Sequence, residues 1–272
     1  MEIFKYDFMQ KAFIVGTLLA IIIPCIGIVI VLKRLSMVGD ALSHTSLAGV
    51  AAGLILGINP VLGAVIFSII SAFGIEVIRK KIPKYSEMSI AIVMSAGVGI
   101  AGVLSGYVKT SSNFNSFLFG SIVAISDFEM YLIGGISIVV LLCFIFLYKE
   151  LFYVAMDERS ARLAGIPVNM VNFIFTILTA VTISVAARTI GALIVSSIMV
   201  VPVACAMQYG KSYKQTVIYS IIFAVTFTIT GLFISYYLDL KPGATIVLIG
   251  ILTLVLILFL KKAIVKLSKV TM

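Results

Sequence analysis

The chain contains one histidine, His44, which follows the carboxylate of Asp40 by four residues. Residues four apart lie on the same face of an α-helix, so a helix through this segment brings the carboxylate and the imidazole together. An oxygen and a nitrogen ligand of this kind suit zinc or manganese. The simpler alternative is that Asp40 caps the N-terminus of the helix and that His44 hydrogen-bonds to it.

Small residues make up most of the helix that must carry this pair. An ionisable pair at membrane depth is costly, which makes it a candidate for function. Small side chains on the same helix allow a second backbone to approach closely, or leave room for an ion. The ridge of Asp40 and His44 continues with Ala48 and Ala52, and the neighbouring ridge holds Ala41, Thr45, Gly49, Gly53 and Gly57.

The composition predicts an all-α, polytopic integral membrane protein. Of 272 residues, 62% are hydrophobic and 11% are charged, whereas soluble proteins average about 25% charged residues. The net charge of +9 lies mostly in short loops between apolar runs, where it sets orientation rather than binding nucleic acid. Cys25, Cys143 and Cys205 lie inside apolar runs without a CxxC pattern, which favours packing roles. We expect residues 1–272 to form one transmembrane domain.

The apolar runs predict about nine spans, or eight if the Asp40 helix or the break at Arg188 is not a full crossing. Residues 1–10 are expected to form a short interfacial helix, and 115–125 a segment too short to span. The positive-inside rule places the N-terminus outside and the C-terminus inside. The predicted spans are 12–32, 40–57, 61–78, 86–106, 130–148, 171–187, 190–207, 217–238 and 244–260.

A hydrophilic break at 149–169 contains a second informative segment, a short helix predicted at about 156–166. Asp157 is a suitable N-cap and Gly165 a suitable C-terminal stop. Ala161 leaves room for a partner surface. The helix has the shape with which membrane subunits of ABC transporters dock onto their ATPase, although an ordinary helical loop fits the same residues.

The sequence has no Gly-x-x-x-x-Gly-Lys-Ser/Thr motif with which to bind ATP phosphates. It also has no paired catalytic carboxylates and no nucleophile motif. We therefore expect that the chain is not an enzyme, and that any ATP hydrolysis takes place on a separate ATPase subunit.

Several motifs, in one order along the chain, resemble the membrane permease subunits of the zinc- and manganese-uptake ABC transporter family. One departure is Thr45, where Ala is expected. The similarity covers nearly the whole length, and the segments that carry it are 37–44, 157–165, 188–195, 200–206 and 241–246.

The resemblance implies an ATP-driven importer of zinc or manganese, with iron a further candidate, in a bacterial plasma membrane. It implies a cytoplasmic ATP-binding subunit, an extracytoplasmic metal-binding lipoprotein and a pair of permease subunits, which we expect to be a homodimer. No cofactor is expected to stay bound. Asp40 and His44 would line the metal path, and the ATPase-coupling residues would be Asp157, Glu158, Ala161 and Gly165.

Two other functions remain open at this point. In the first, a stand-alone secondary transporter uses Asp40 and His44 to relay protons. In the second, the chain is a structural or assembly protein without an ion pathway. Asp127 and Glu129 either flank a span or face outside, where they contact the binding lipoprotein or concentrate cations. We expect Glu76 to be a paired charge at the inner end of its helix, and Arg188 to be an anchor or helix-end partner.

Overall fold

The protein is described from a computed structural model, which defines residues 5–82, 85–108, 125–192 and 194–270. These residues form eleven α-helices and contain no strand. The helices are α1 (Asp7–Leu32), α2 (Val38–Leu56), α3 (Pro60–Lys81), α4 (Ser86–Ser105), α5 (Asp127–Phe146), α6 (Tyr148–Met156), α7 (Glu158–Leu163), α8 (Val168–Ile190), α9 (Val195–Ala206), α10 (Tyr213–Leu238) and α11 (Pro242–Val270). Seven of them are long and apolar enough to cross a membrane, namely α1, α3, α4, α5, α8, α10 and α11. This confirms the all-α polytopic fold.

The two remaining predicted spans correspond to α2 and α9. Helix α2 has 19 residues, enough for about 28 Å, but polar side chains dilute its apolar character. Helix α9 has only 12 residues, or about 18 Å, so it is shorter than the hydrocarbon core of a bilayer. Gly191, with φ 110°, ends α8, and α9 begins only at Val195. The described residues between α8 and α9, namely Gly191, Ala192 and Ile194, are not part of either helix.

The N-terminal segment differs from the prediction of a separate interfacial helix. Helix α1 runs without interruption from Asp7 to Leu32, since the sequence offers no helix breaker between the two predicted segments. Lys11 tolerates this position because Asp7 and Asp127 each lie 2.7 Å from its ammonium nitrogen. Residues 1–4 and most of the predicted 115–125 segment lie outside the described residues.

Two groups of helices make up the molecule. Helix α1 packs against α5, α9 and α10, and α2 packs against α3, α4 and α8. Small residues allow the close approach of α2 to its neighbours, as the sequence predicts. A Cβ atom on Gly49 would overlap the backbone of Gly63 in α3, and one on Gly97 in α4 would overlap Thr45.

The charged residues collect at the two ends of the helices. Lys33 and Arg79 lie near Glu158 at one end. At the other end, Lys11 pairs with Asp127, and Arg188 pairs with Glu129. The structure therefore separates these charges into the two sets that the positive-inside rule assigns to opposite sides of the membrane.

Candidate functional site

The start of α2 is fixed by a tight connection to α1. Only residues 33–37 separate the two helices. The amide of Leu35 donates to the carbonyl of Ile30 at 2.9 Å, and that of Arg34 to Val31 at 3.0 Å. Arg34 adopts a left-handed conformation with φ 58°, as the residue after a helix often does. The connection therefore holds the first turn of α2 close to the end of α1.

Asp40 lies in the first turn of α2, but it is not the N-cap. The N-cap is Met37, and no side-chain hydrogen bond caps this end. A carboxylate in the first turn still interacts favourably with the helix dipole. The alternative in which Asp40 serves as the cap is therefore not what the structure shows.

Asp40 and His44 lie on the one open side of α2. Between Val38 and Gly53 every residue is buried except Asp40, His44 and Ala52, which we call the open stripe. The other polar residues of this stretch are satisfied within the helix. Thr45 donates to the carbonyl of Leu42 at 3.1 Å, and Ser43 and Ser46 also bond to carbonyls one turn back.

The side chains of Asp40 and His44 make no hydrogen bond or ion pair with the described part of the chain. Their ligand atoms therefore remain available to a cation. Within the same ranges, no cluster of three or more His, Cys, Asp or Glu side chains is suited to a metal ion. Within the described residues, one chain therefore places two candidate ligands, Asp40 and His44, on this face of α2.

Asp157 forms the N-cap of α7, as the sequence predicts. Its carboxylate accepts from the Ser160 hydroxyl at 2.6 Å, from the Arg159 amide at 3.0 Å and from the Ser160 amide at 3.3 Å. The bond from the Ser160 hydroxyl, followed by that from the Arg159 amide, lowers the pKa of the Asp157 carboxyl. Its polar atoms are therefore used in holding the short helix together.

Gly165 ends α7, also as the sequence predicts. Its φ of +81° is left-handed. Its amide donates to Arg162 at 3.1 Å, and that of Ile166 donates to Ala161 at 3.1 Å, the pair of bonds that defines a Schellman motif. Ala161 is 1% exposed, so it packs inward rather than facing a partner.

Glu158 points into the membrane domain rather than into the cytoplasm. Its Oε1 atom lies 3.3 Å from Lys33 Nζ, 3.1 Å from Asn172 Nδ2 and 3.7 Å from Arg79 Nη2. Burial opposes its ionisation, but Lys33, Asn172 and Arg79 outweigh that effect and lower the pKa of Glu158. Lys33 and Asn172 were not predicted as partners of Glu158. Asn172 lies inside an apolar run, and a polar side chain in such a place was the signal that could have indicated a buried hydrogen bond.

Other residues form the exposed face of the segment 156–166, which we call the coupling segment after its predicted role. Leu163 is 91% exposed and Met156 63% exposed, and Arg159 and Arg162 are exposed beside them. The sequence analysis did not single out these side chains. Two large apolar groups at a cytoplasmic surface were the signal that could have found them, because such groups often mark a protein contact.

Glu76, Glu129 and Arg188 form ion pairs, as expected. Glu76 lies 2.8 Å from Arg79. Arg188 donates from Nε to Glu129 at 3.0 Å, and Glu129 also completes a capping box with Ser126. These side chains stabilise helix ends and are less available to an ion than the open stripe.

Comparisons with known proteins identify the family of the chain. Residues 5–261 match the model of the ABC 3 transport family. The manganese import system permease protein ScaB of Streptococcus gordonii is 30% identical over 94% of this chain and 92% of its own length. The high-affinity zinc uptake system membrane protein ZnuB of Haemophilus influenzae is 28% identical over 93% of this chain and 98% of its own.

A solved structure has the same fold. PsaBC from Streptococcus pneumoniae, in complex with Fab, matches with a TM-score of 0.85 and 30% identity over 94% of this chain and 92% of that chain. The family model covers nearly all of the sequence, and the multi-pass helical architecture is shared. The chain therefore belongs to the ABC 3 transport family, as its resemblance to metal-uptake permeases implied.

Proposed function

We propose that the chain is the permease subunit of an ATP-driven importer that moves manganese or zinc across a bacterial plasma membrane. Family membership and the relatives named for manganese import and zinc uptake support the transport class. The main support for the ion site is the open stripe of α2, where the side chains of Asp40 and His44 have no partner among the described residues.

In this proposal Asp40 and His44 bind the ion during its passage. Two copies of the chain related by a twofold axis near α2 would supply two carboxylates and two imidazoles. Four such ligands satisfy a divalent ion, and the two carboxylates balance its charge. Without thiolates the site releases its ion more readily than a structural Cys₄ site does. A complex in which His44 lies far from the dimer axis would rule out the shared site.

The same ligand set accounts for both candidate ions. Carboxylate and imidazole bind manganese and zinc alike, and geometry and availability decide between them. The named relatives include one importer of each. The substrate class is therefore a divalent first-row transition metal, with iron a further member of that class.

The segment 156–166 is proposed to dock the cytoplasmic ATPase. Asp157 and Gly165 define the ends of α7, Ala161 seats it on the membrane domain, and Leu163 lies on its exposed face. ATP binding and hydrolysis on the partner would move this segment, while a metal-binding lipoprotein delivers the ion from outside. This movement would expose the open stripe first to the outside of the membrane and then to the cytoplasm.

The energy source separates this proposal from the secondary transporter. The permease and its ATPase are reconstituted in proteoliposomes, and uptake of radioactive zinc and manganese is measured. We expect uptake with ATP and the loaded binding protein, and none with an imposed proton gradient alone. Uptake that follows the proton gradient and ignores ATP would favour the secondary transporter instead.

A further inference from the structure

Five polar side chains from four parts of the chain meet at the cytoplasmic end of the helices. We call them the inner cluster. Glu158 of α7 is its centre, since one oxygen of its carboxylate lies within 3.3 Å of two neighbours and 3.7 Å of a third. The cluster consists of Lys33 after α1, Glu76 and Arg79 in α3, Glu158 in α7 and Asn172 in α8.

Lys33 is held more tightly than an ordinary surface lysine. Its side chain is only 7% exposed. Its ammonium donates to Asn172 Oδ1 at 2.6 Å and to Glu158 Oε1 at 3.3 Å, and lies 6.0 Å from the ring centroid of Phe175. Removing a lysine from water is costly unless it is paired and hydrogen-bonded. A movement of α7 that displaces Glu158 would therefore disturb the only carboxylate within 4 Å of the Lys33 ammonium among the described residues.

Lys33 is also the first residue of the connection to α2. The hydrogen bonds of residues 33–37 make this connection tight, and Asp40 follows within the first turn of α2. A displacement of Lys33 therefore reaches Asp40 through seven residues of ordered backbone.

Direct packing offers α7 no equivalent route to α2. Among the described helices, α7 packs mainly against α6 and α8. The contact of Glu158 with Lys33 spans 125 positions of sequence and joins α7 to the α1–α2 connection.

We infer that Glu158 and Lys33 are positioning residues that transmit the movement of α7 to Asp40 and His44, an inference that rests on the proposed function. Glu158 then acts on the membrane side of the coupling segment and not as a contact to the ATPase. The pair links the energy source to the ion site without touching either the nucleotide or the ion.

The test uses Glu158→Gln, which keeps the size of the side chain and removes its charge. Lys33→Gln removes the other charge, and the double variant combines both. Glu87→Gln makes the same change as the first variant at an exposed position near the start of α4, so it serves as the matched control. The full complex in proteoliposomes gives two readouts, the ions imported and the ATP hydrolysed.

We expect each single variant to lower the ions imported per ATP by about ten-fold, while the ATPase still co-purifies and still hydrolyses ATP. The double variant should be no worse than either single variant, because the two residues act as a unit. Glu87→Gln should match wild type. A ratio within about twofold of wild type in both single variants, a change smaller than typical coupling, would overturn the inference.

Hydrogen exchange separates failure of this inference from failure of the proposed function. Exchange of amides 33–44 is measured in the assembled complex with and without bound ATP. We expect ATP to change exchange there in wild type, and Glu158→Gln to abolish the change. If wild type imports neither ion but this exchange pattern is found, the proposed function fails and the positioning role stands. An equal ATP-dependent change in exchange in wild type and in both single variants would contradict the positioning role. If one variant fails to assemble with the ATPase, the comparison is made with the other variant.

Discussion

At the scale of single residues, the side chain of Asp40 differs from three glutamates at the helix ends. Glu76, Glu129 and Glu158 each have a basic neighbour within 3.3 Å. The side chain of Asp40 makes no hydrogen bond or ion pair with any described residue, and it lies on the open stripe with His44. An unpaired carboxylate inside a membrane protein is costly, and an incoming divalent cation would offset that cost.

Asp40→Asn should reduce metal uptake by at least about 10-fold, because loss of even an outer-shell partner of a metal ligand costs about 10- to 100-fold. The amide keeps the size of the side chain but removes its negative charge. The measurement is the initial rate of ATP-driven uptake by the reconstituted complex.

Asp239→Asn provides the matched control for that change. Asp239 is exposed and left-handed, with φ 53°, a conformation that asparagine tolerates well. It should therefore transport like wild type. Equal loss in both variants would mean that Asp40 acts through general charge and not as a ligand.

At the scale of helices, local signals were the most predictable from sequence. The predicted helix at 40–57 is found at Val38–Leu56, and Asp157 and Gly165 end α7 as their residue types indicate. Caps and left-handed stops depend on a few neighbouring residues, so the sequence contains the whole signal.

Contacts between distant segments were not predictable in this way. The sequence assigned Glu158 to the ATPase side, yet the structure pairs it with Lys33, 125 positions away. The short α9 was predicted as a full span that begins at residue 190, but α8 continues through Arg188 to Ile190, and α9 begins only at Val195. A tertiary contact decided the first outcome and the backbone at Gly191 the second, and hydropathy alone reports neither.

The glycines of α2 lead to a prediction about packing. Gly49→Ala places a methyl group against the backbone of Gly63, so the helices must separate. We expect a loss of about 1–3 kcal/mol in stability, seen as a lower unfolding temperature of the purified protein in detergent.

Gly102→Ala in α4 is the control, because nothing lies within 4 Å of the added methyl group. Replacing a helical glycine by alanine at an open position should stabilise by about 0.5–1 kcal/mol. If Gly49→Ala unfolds at the same temperature as wild type or higher, the close approach of α2 and α3 is not a constraint on the fold.

At the scale of the whole molecule, the described part of one chain offers only two ligands at the open stripe. A shared site between two copies predicts one ion bound for each pair of chains. Equilibrium dialysis of the purified complex against radioactive zinc, with the His44→Ala complex as background, measures this ratio. One specific ion per chain would contradict the shared site.

The most direct test of the account is the accumulation of labelled zinc and manganese in cells that express the permease with its partner proteins. Wild type is compared with His44→Ala, and the amount of each protein in the membrane is measured in parallel. We predict that wild type accumulates at least one of the two ions, and that His44→Ala removes this accumulation while reaching the membrane normally. Accumulation that survives the loss of the only histidine would contradict a metal path through Asp40 and His44.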